Sequence, residues 1–296
     1  MNVRVVGCGA MGAGMVKNLL KSNYVVSTYD PDTTKQREME QLGATPVPTA
    51  NSELKDIDIV LLSLPSSSLV RETIIGENGV LHHLREGTYI LDMSTTDVEL
   101  TRQLAQHAKE KGVFFLDCPV SNGPAGAESG TLTIMVGGEE EAFDQMLPLF
   151  EAIGKEIRYI GPSGSGQVVK LCNNMMVAGI TTLLSETFLT GAKNGVDPKK
   201  IAEVMSIGSA QTKVLSVFGP NLLEDTHDDV KFFLNHMAKD IDLYMEMTKR
   251  SDTPALLSSI VDQLYKTAKR QGMGQLDTSA VGLVLEQMGN YKMKKE

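Results

Sequence analysis

The sequence predicts an α/β chain in two parts: a doubly wound, mostly parallel sheet over residues 1–162, then an all-helical part over residues 163–296 entered through one long helix. Three observations carry this. Short apolar runs alternate with helical stretches through the first half, the pattern of a sheet covered by helices on both faces. The first run leads straight into a glycine-rich turn. From Gly161 onward strand signals nearly vanish, and residues 163–194 read as a single helix, on the order of 45 Å long at a rise of about 1.5 Å per residue.

Asn2 to Val6 form the first strand, with Val3, Val5 and Val6 leading into Gly7-Cys8-Gly9-Ala10-Met11-Gly12, after which Met11, Met15 and Leu19 recur at helical spacing. A G-x-G-x-x-G turn between a strand and a helix is the setting in which that motif binds a dinucleotide. The first glycine permits the tight turn, the second lets a pyrophosphate approach the backbone, and the third lets the helix close on the strand. The phosphates then meet free N–H groups at the positive end of a helix. A second strand, Tyr24 to Tyr29, ends in Asp30, about 20 residues on, where a carboxylate accepts from the ribose hydroxyls. An acid there repels a 2′-phosphate and no arginine follows immediately, so NAD is favoured over NADP. The bland alternative is a glycine turn beside an acidic strand end.

The alternation continues. The run Asp58 to Leu64 stops at Ser63-Leu64-Pro65; residues 88–91 lead into Asp92-Met93-Ser94-Thr95-Thr96; Val113 to Leu116 lead into Asp117-Cys118-Pro119-Val120-Ser121-Asn122-Gly123. Asp97 is placed to cap a helix over Val98 to Lys111. Leu132 to Val136, Gly137-Gly138, a helix from Glu139 to Phe150 and a last strand near Ile157 to Ile160 complete a Rossmann-like domain. Ligands of such sheets bind at the carboxyl ends of the strands, and each polar cluster falls at such an end.

The stretch Gly161 to Asn174 opens a segment in which Lys170 is the single charge before Glu186. On a helix Gly166, Lys170 and Asn174 share one face, with the glycine clearing room on the turn before the lysine. Leu171, Met175, Met176, Ile180, Leu183 and Leu184 run around most of the circumference, which predicts a helix buried on nearly all sides. Burial there disfavours the ammonium and lowers the Lys170 pKa towards the range useful for acid–base work. The alternative is a first-turn lysine that snorkels to water. Farther on, Asp197 and Pro198 start another helix, and the remainder reads as helical to about Met288. Lys239, beside Asp240, fits either a surface charge or a face turned to a cleft. Residues 291–296, with Lys292, Lys294 and Lys295, are expected to fray.

At 296 residues the chain is long enough for two cores. A net charge of -9 and a pI near 5.2 argue against nucleic acid or an anionic membrane as the main partner, and leave a small anionic substrate open. Cys8, Cys118 and Cys172 show no disulfide or zinc spacing and are expected to be buried and reduced. The five histidines make no ligand pattern, so no metal is expected. The first residues go directly into a strand with no secretory pattern. The uncharged run after Lys170 is broken by Asn173, Asn174, Thr181 and Thr182 and falls short of the roughly 20 residues a span needs. A cytoplasmic protein is expected.

On these residues the chain resembles the β-hydroxyacid dehydrogenase family, the group that includes 3-hydroxyisobutyrate dehydrogenase and tartronate semialdehyde reductase. The resemblance covers essentially the whole length. It rests on G-x-G-x-M-G-x-x-M-x-x-N-L at Gly7 to Leu19, D-x-P-V-S at Asp117 to Ser121, G-T-L-T-x-M-V-G-G at Gly130 to Gly138, G-x-G-x-x-x-K-x-x-N-N at Gly164 to Asn174, and Lys239-Asp240. It implies a dinucleotide on Gly7, Gly9, Ala10, Met11 and Gly12 with Asp30 at the ribose and Leu64, Pro65 and Thr95 in contact. It implies that Ser121, Asn122 and Gly123 hold the substrate carboxylate, that Lys170 is the catalytic lysine, that Asn174 holds the substrate, and that Lys239 sits near the nicotinamide. The family usually has Gly-Gly after the serine, so Asn122 bears on substrate identity, by bonding a polar substituent or narrowing the pocket. The implied reaction is hydride exchange between NAD and a short 3-hydroxyacid of the 3-hydroxyisobutyrate type, with 2-hydroxy-3-oxopropionate (tartronate semialdehyde) or succinic semialdehyde as alternatives. The family's habit implies a homodimer or homotetramer. Imine reduction is disfavoured because those relatives generally place a different residue where Lys170 stands. A non-catalytic dinucleotide-binding protein has no need of a proton donor such as Lys170 beside Asn174.

Overall fold

The structure is a computed structural model and describes residues 1–294; Lys295, expected in a frayed tail, lies outside them. It divides into two compact units, Met1–Lys170 and Leu171–Glu296.

The first unit runs β1 (Asn2–Val6), α1 (Ala10–Lys21), β2 (Val25–Tyr29), α2 (Thr33–Gln41), β3 (Thr45–Pro46), β4 (Ile59–Leu62), α3 (Ser67–Ile75), β5 (Tyr89–Asp92), α4 (Val98–Glu110), β6 (Phe114–Asp117), β7 (Val120–Ser121), α5 (Gly123–Ser129), β8 (Leu132–Gly137), α6 (Glu140–Ile153) and β9 (Gly154–Gly161). The sheet order is β3-β2-β1-β4-β5-β6-β8-β7, with β9 on β8. Strands β1 to β6 are parallel neighbours, and β8 is antiparallel to β6 and β7. Side chains alternate between two cores. Val3, Val5, Ile59, Leu61, Leu91 and Leu116 enter one, while Val6, Val60, Leu62, Ile90 and Phe115 enter the other. Burial on both faces is why these strands read as continuous apolar runs rather than alternating ones. The Asp97 side chain accepts from Leu100 N and starts α4 where expected.

The expected boundary at 162/163 precedes the long helix, α7 (Ser165–Lys193), whereas the compact units divide inside it. Its first turn belongs with the sheet because Gly166 has no room for a side chain: a Cβ there would lie 2.4 Å from the Met135 carbonyl.

The second unit continues α7 and adds α8 (Pro198–Ile207), α9 (Lys213–Glu224), α10 (Leu234–Arg250), α11 (Leu256–Arg270) and α12 (Val281–Gly289). Asp197 caps α8 through Lys199 N. Two clusters form its cores, one around Met237, Ile241 and Tyr265, the other around Phe188, Leu222 and Met293. Two expectations are corrected. Helix α7 is not buried on nearly all sides: Met176 and Leu183 are exposed, although Leu171, Met175 and Leu184 are buried. The tail is docked rather than frayed through Lys294, with Tyr291 Oη donating to Ala192 O and Lys294 Nζ to Glu224 O.

Candidate active site

The turn after β1 is shaped by its own packing at two of its three glycines. Gly7 sits at φ +94°, and a Cβ there would meet the Ser63 carbonyl at 2.3 Å. A Cβ at Gly12 would come within 1.9 Å of the Gly7 carbonyl, so this glycine lets α1 close on the turn. Gly9 differs: it caps α1 with no side-chain bond, and a Cβ there would meet nothing within 4 Å. Open space facing free N–H groups at a helix start is what a pyrophosphate requires. Ala10 and Met11 follow in the first turn. Asp30, 6% exposed at the end of β2, accepts from Cys8 N at 2.8 Å and Asp32 N at 2.9 Å. Those bonds aim the carboxylate at the turn and leave lone pairs for hydroxyl donors. The residues present therefore fit a dinucleotide.

The neighbouring strand ends line up. Val6 pairs with Leu62, Leu62 with Asp92 and Asp92 with Asp117, so the four polar clusters stand side by side. Leu64 and Pro65 follow β4, and Leu64 N donates to Ser94 Oγ at 2.9 Å. Thr95 follows β5.

Ser121 ends β7, opposite Thr133 of β8. Asn122 has φ +82° and starts α5. Asparagine tolerates this left-handed region better than most residues but at more strain than glycine, which accounts physically for a glycine being usual there. Its amide nitrogen donates to Thr131 O at 3.0 Å and Thr133 Oγ1 at 3.2 Å. Both bonds of the amide nitrogen lie inside the hairpin, and its oxygen takes no part in them. Gly123, at φ +57°, continues the turn.

Lys170 is 6% exposed, and its Nζ donates to Val120 O at 2.7 Å. It does not snorkel. The bond joins the Asp117–Gly123 segment to the Gly164–Asn174 segment, brought together across 50 positions of sequence.

In the second unit Asn174, one turn after Lys170 on α7, is 4% exposed and donates from Nδ2 to Asp240 Oδ2 at 2.6 Å. Lys239 Nζ lies 3.0 Å from Asp240 Oδ1. Lys239 is thus half-buried and paired with a buried acid. Asp240, 2% exposed, was not singled out from sequence, and its adjacency to Lys239 was the available signal.

Sequence reasoning placed Asp92, Ser94 and Asp117 in the strand-end clusters without giving them a role, and passed over Gln167. Asp117 accepts from Gly164 N and Gln167 N at 2.7 and 3.0 Å. Burial pushes its carboxyl up, opposed by those backbone donors. Burial likewise pushes the Asp92 carboxyl up to about 6 against bonds from Thr96 and Ser94. Cys8 and Cys118 are buried as expected, but Cys172 is exposed. Burial pushes the Cys8 thiol up to about 12, with Asp30 adding to the shift, so it is no nucleophile at neutral pH. Among the described residues, no group of three or more His, Cys, Asp or Glu is arranged to hold a metal ion.

Comparison with known proteins agrees with these parts. Residues 2–161 match the family described as the NAD binding domain of 6-phosphogluconate dehydrogenase. Residues 164–285 match the one described as NAD-binding of NADP-dependent 3-hydroxyisobutyrate dehydrogenase. The NAD-dependent L-serine dehydrogenase of Pseudomonas aeruginosa is 35% identical over 94% of this chain and 96% of its own. The 2-hydroxy-3-oxopropionate reductase of Escherichia coli K12 is 34% identical over 99% of this chain and all of its own. Among solved structures, 3-hydroxyisobutyrate dehydrogenase of Mycobacterium tuberculosis with L-serine superposes with a TM-score of 0.89 at 29% identity, covering 96% of this chain and 98% of that one.

Proposed function

We propose, since the chain belongs to the β-hydroxyacid dehydrogenase family, that it interconverts a short 3-hydroxyacid of the 3-hydroxyisobutyrate type and its semialdehyde, with Lys170 as general acid/base. The family makes it a hydroxyacid dehydrogenase that uses a nicotinamide dinucleotide. Bound on the Gly7–Gly12 turn, that cofactor supplies the hydride acceptor or donor. Asp30 accepts from the adenosine ribose and disfavours a 2′-phosphate, which supports NAD over NADP. Leu64, Pro65 and Thr95 flank the cofactor, and Lys239 serves its nicotinamide end.

The observation that carries the reading is the buried Lys170 amine, fixed at 2.7 Å on the carbonyl of Val120 beside Ser121. In oxidation Lys170 takes the hydroxyl proton as hydride leaves the same carbon; in reduction its ammonium donates to the developing alkoxide. Ser121, Asn122 and Gly123 form part of the substrate-carboxylate site and Asn174 holds the substrate, which aligns the reacting carbon. The closed hairpin side of Asn122 restricts its contribution to the backbone and the side-chain oxygen.

The test is a panel of 3-hydroxyisobutyrate, L-serine, 4-hydroxybutyrate and glycerate with the corresponding semialdehydes, 2-hydroxy-3-oxopropionate being that of glycerate, each with NAD(H) and NADP(H). Preference for 3-hydroxyisobutyrate with NAD upholds the reading; turnover confined to other acids, or to NADP, moves it. We also read the protein as cytoplasmic and homo-oligomeric, without a nucleic-acid or membrane partner. The exposed Met176 and Leu183 of α7, with Leu256, Leu257 and Ile260 of α11, support an association surface. By length and mean hydropathy α7 passes as a membrane span, but half of that stretch is buried in the protein, as in a core helix. Light scattering showing a monomer, or recovery in a membrane fraction, would count against this.

A further inference from the structure

Lys170 is held at the end of a buried bracket. Asp117 closes β6 and is 0% exposed; its two oxygens take Gly164 N and Gln167 N, two of the donors that the start of α7 leaves without a helical partner. Gln167, also 0% exposed, reaches the neighbouring strand end, where its Oε1 accepts from Thr96 N at 3.1 Å and its Nε2 donates to Ser94 O at 2.9 Å. That loop is itself fixed by Asp92, which accepts from Ser94 N at 3.0 Å and Thr96 Oγ1 at 2.6 Å. Two glycines permit the approach: a Cβ at Gly137 would lie 2.6 Å from Asp117 Oδ1, and one at Gly166 would lie 2.9 Å from Asp117 O. Three residues after Asp117 comes Val120, and three after Gln167 comes Lys170, whose Nζ bonds Val120 O. The two segments are thus tied at both ends, by a carboxylate at one and by the amine at the other.

We propose that Asp117 and Gln167 are positioning residues for Lys170, setting the place of its amine for proton transfer. This rests on the reading of Lys170 given above. Neither side chain has solvent access, so neither touches substrate, and each acts through the turn that carries the lysine. Both ends of the Gln167 amide are bonded to one loop, so rotation of the first turn of α7 breaks two hydrogen bonds as well as the Asp117 cap. The bracket therefore resists the small displacement that reaction geometry does not tolerate.

The experiment uses the full chain with Gln167→Met, which keeps the side-chain length and removes both bonds. It adds Asp117→Asn, which can accept from only one of the two backbone donors. Each is assayed with NAD and 3-hydroxyisobutyrate, or with whichever acid of the panel turns over fastest. A misplaced amine lowers kcat roughly 10–100-fold, leaves KM and NADH affinity within about threefold, and raises the solvent deuterium isotope effect as the proton step slows. In a Lys170→Ala background Gln167→Met adds little, because the two act as a unit. Normal kcat in a folded variant, or the same fractional loss with and without Lys170, overturns the proposal. If Lys170→Ala alone keeps its turnover, the function reading fails first; if Lys170→Ala is inactive while the bracket variants are normal, only the bracket fails. Should Asp117→Asn not fold, Gln167→Met carries the test.

Discussion

Asp117 in the first unit and Asp277 in the second are both fully buried, and each uses its carboxylate to hold backbone donors from a distant segment. Asp277 accepts from Ser279 N within its own turn and from Lys231 N and Phe232 N of the loop before α10, at 2.9 to 3.1 Å. The same loop is pinned by buried His227, whose Nδ1 lies 2.8 Å from Ser279 Oγ. A buried carboxylate satisfied by several N–H groups is thus one device used twice. What separates the two is what the held segment carries. Beyond Asp117 it is the buried amine of Lys170, to which we assign the proton transfer, whereas beyond Asp277 it is a connection between helices. A serine, a histidine and Asp225 within reach of its Nε2 do not make a nucleophile there, since Ser279 is fully buried and reaches no open space.

The comparison breaks first at the lysine. Lys170→Ala is expected to lower kcat/KM by about 10³-fold or more, with NADH affinity retained by fluorescence titration; near-normal turnover would remove the distinction drawn here. Next comes Asp277→Ala, which strands one buried and two partly buried N–H groups and is expected to cost on the order of 3 kcal/mol in a denaturant titration. Its turnover per folded molecule should match the parent. A kcat loss in that variant without a stability loss would make Asp277 the functional member of the pair.

Asp92 sharpens the contrast through pH. Its folded pKa, about 6, is raised above the unfolded value, so the native state holds the proton more tightly and stability falls as pH rises from about 4 through about 6. Asp92→Asn removes this dependence. The stability difference between parent and variant should then move against the parent by on the order of 2 kcal/mol between pH 4.5 and 7.5. A constant difference would mean that Asp92 stays charged throughout. The smallest effect is expected at Asp30, whose carboxylate also takes two backbone donors but keeps lone pairs for a ligand. Asp30→Ala should shrink the preference for NAD over NADP by roughly tenfold, read as the ratio of the two kcat/KM values.

The strand ends were legible because burial on both faces leaves apolar runs, and a polar cluster at the end of such a run is visible without a structure. The glycine turn was legible for the same local reason. Lys170 stood out because a single charge in an uncharged helix needs a partner. The partner itself was not legible: Val120 O is a backbone atom, and main-chain acceptors leave no trace in residue identity. The roles of Asp117 and Gln167 were missed because their bonds cross 47 to 73 positions to main-chain groups of that same anonymous kind. Asn122 was read for its amide without its conformation, and its positive φ is a property of the turn. The exposed faces of α7 and Cys172 were missed because apolar residues around a helix do not say which side has a neighbour. Asp240, buried beside Asn174, was not legible at all, because its sequence neighbour Lys239 fits a surface or a cleft equally.

The docked end of the chain has a practical side. Met293, 3% exposed, fills the core built by Leu184, Phe188 and Leu222, and its backbone N–H donates to Glu286. Trimming before it, by a protease or by a cloning choice, uncovers that core and leaves a buried acid without its donor. Preparations nicked there should lose thermal tolerance in the helical unit while the glycine turn still takes up dinucleotide.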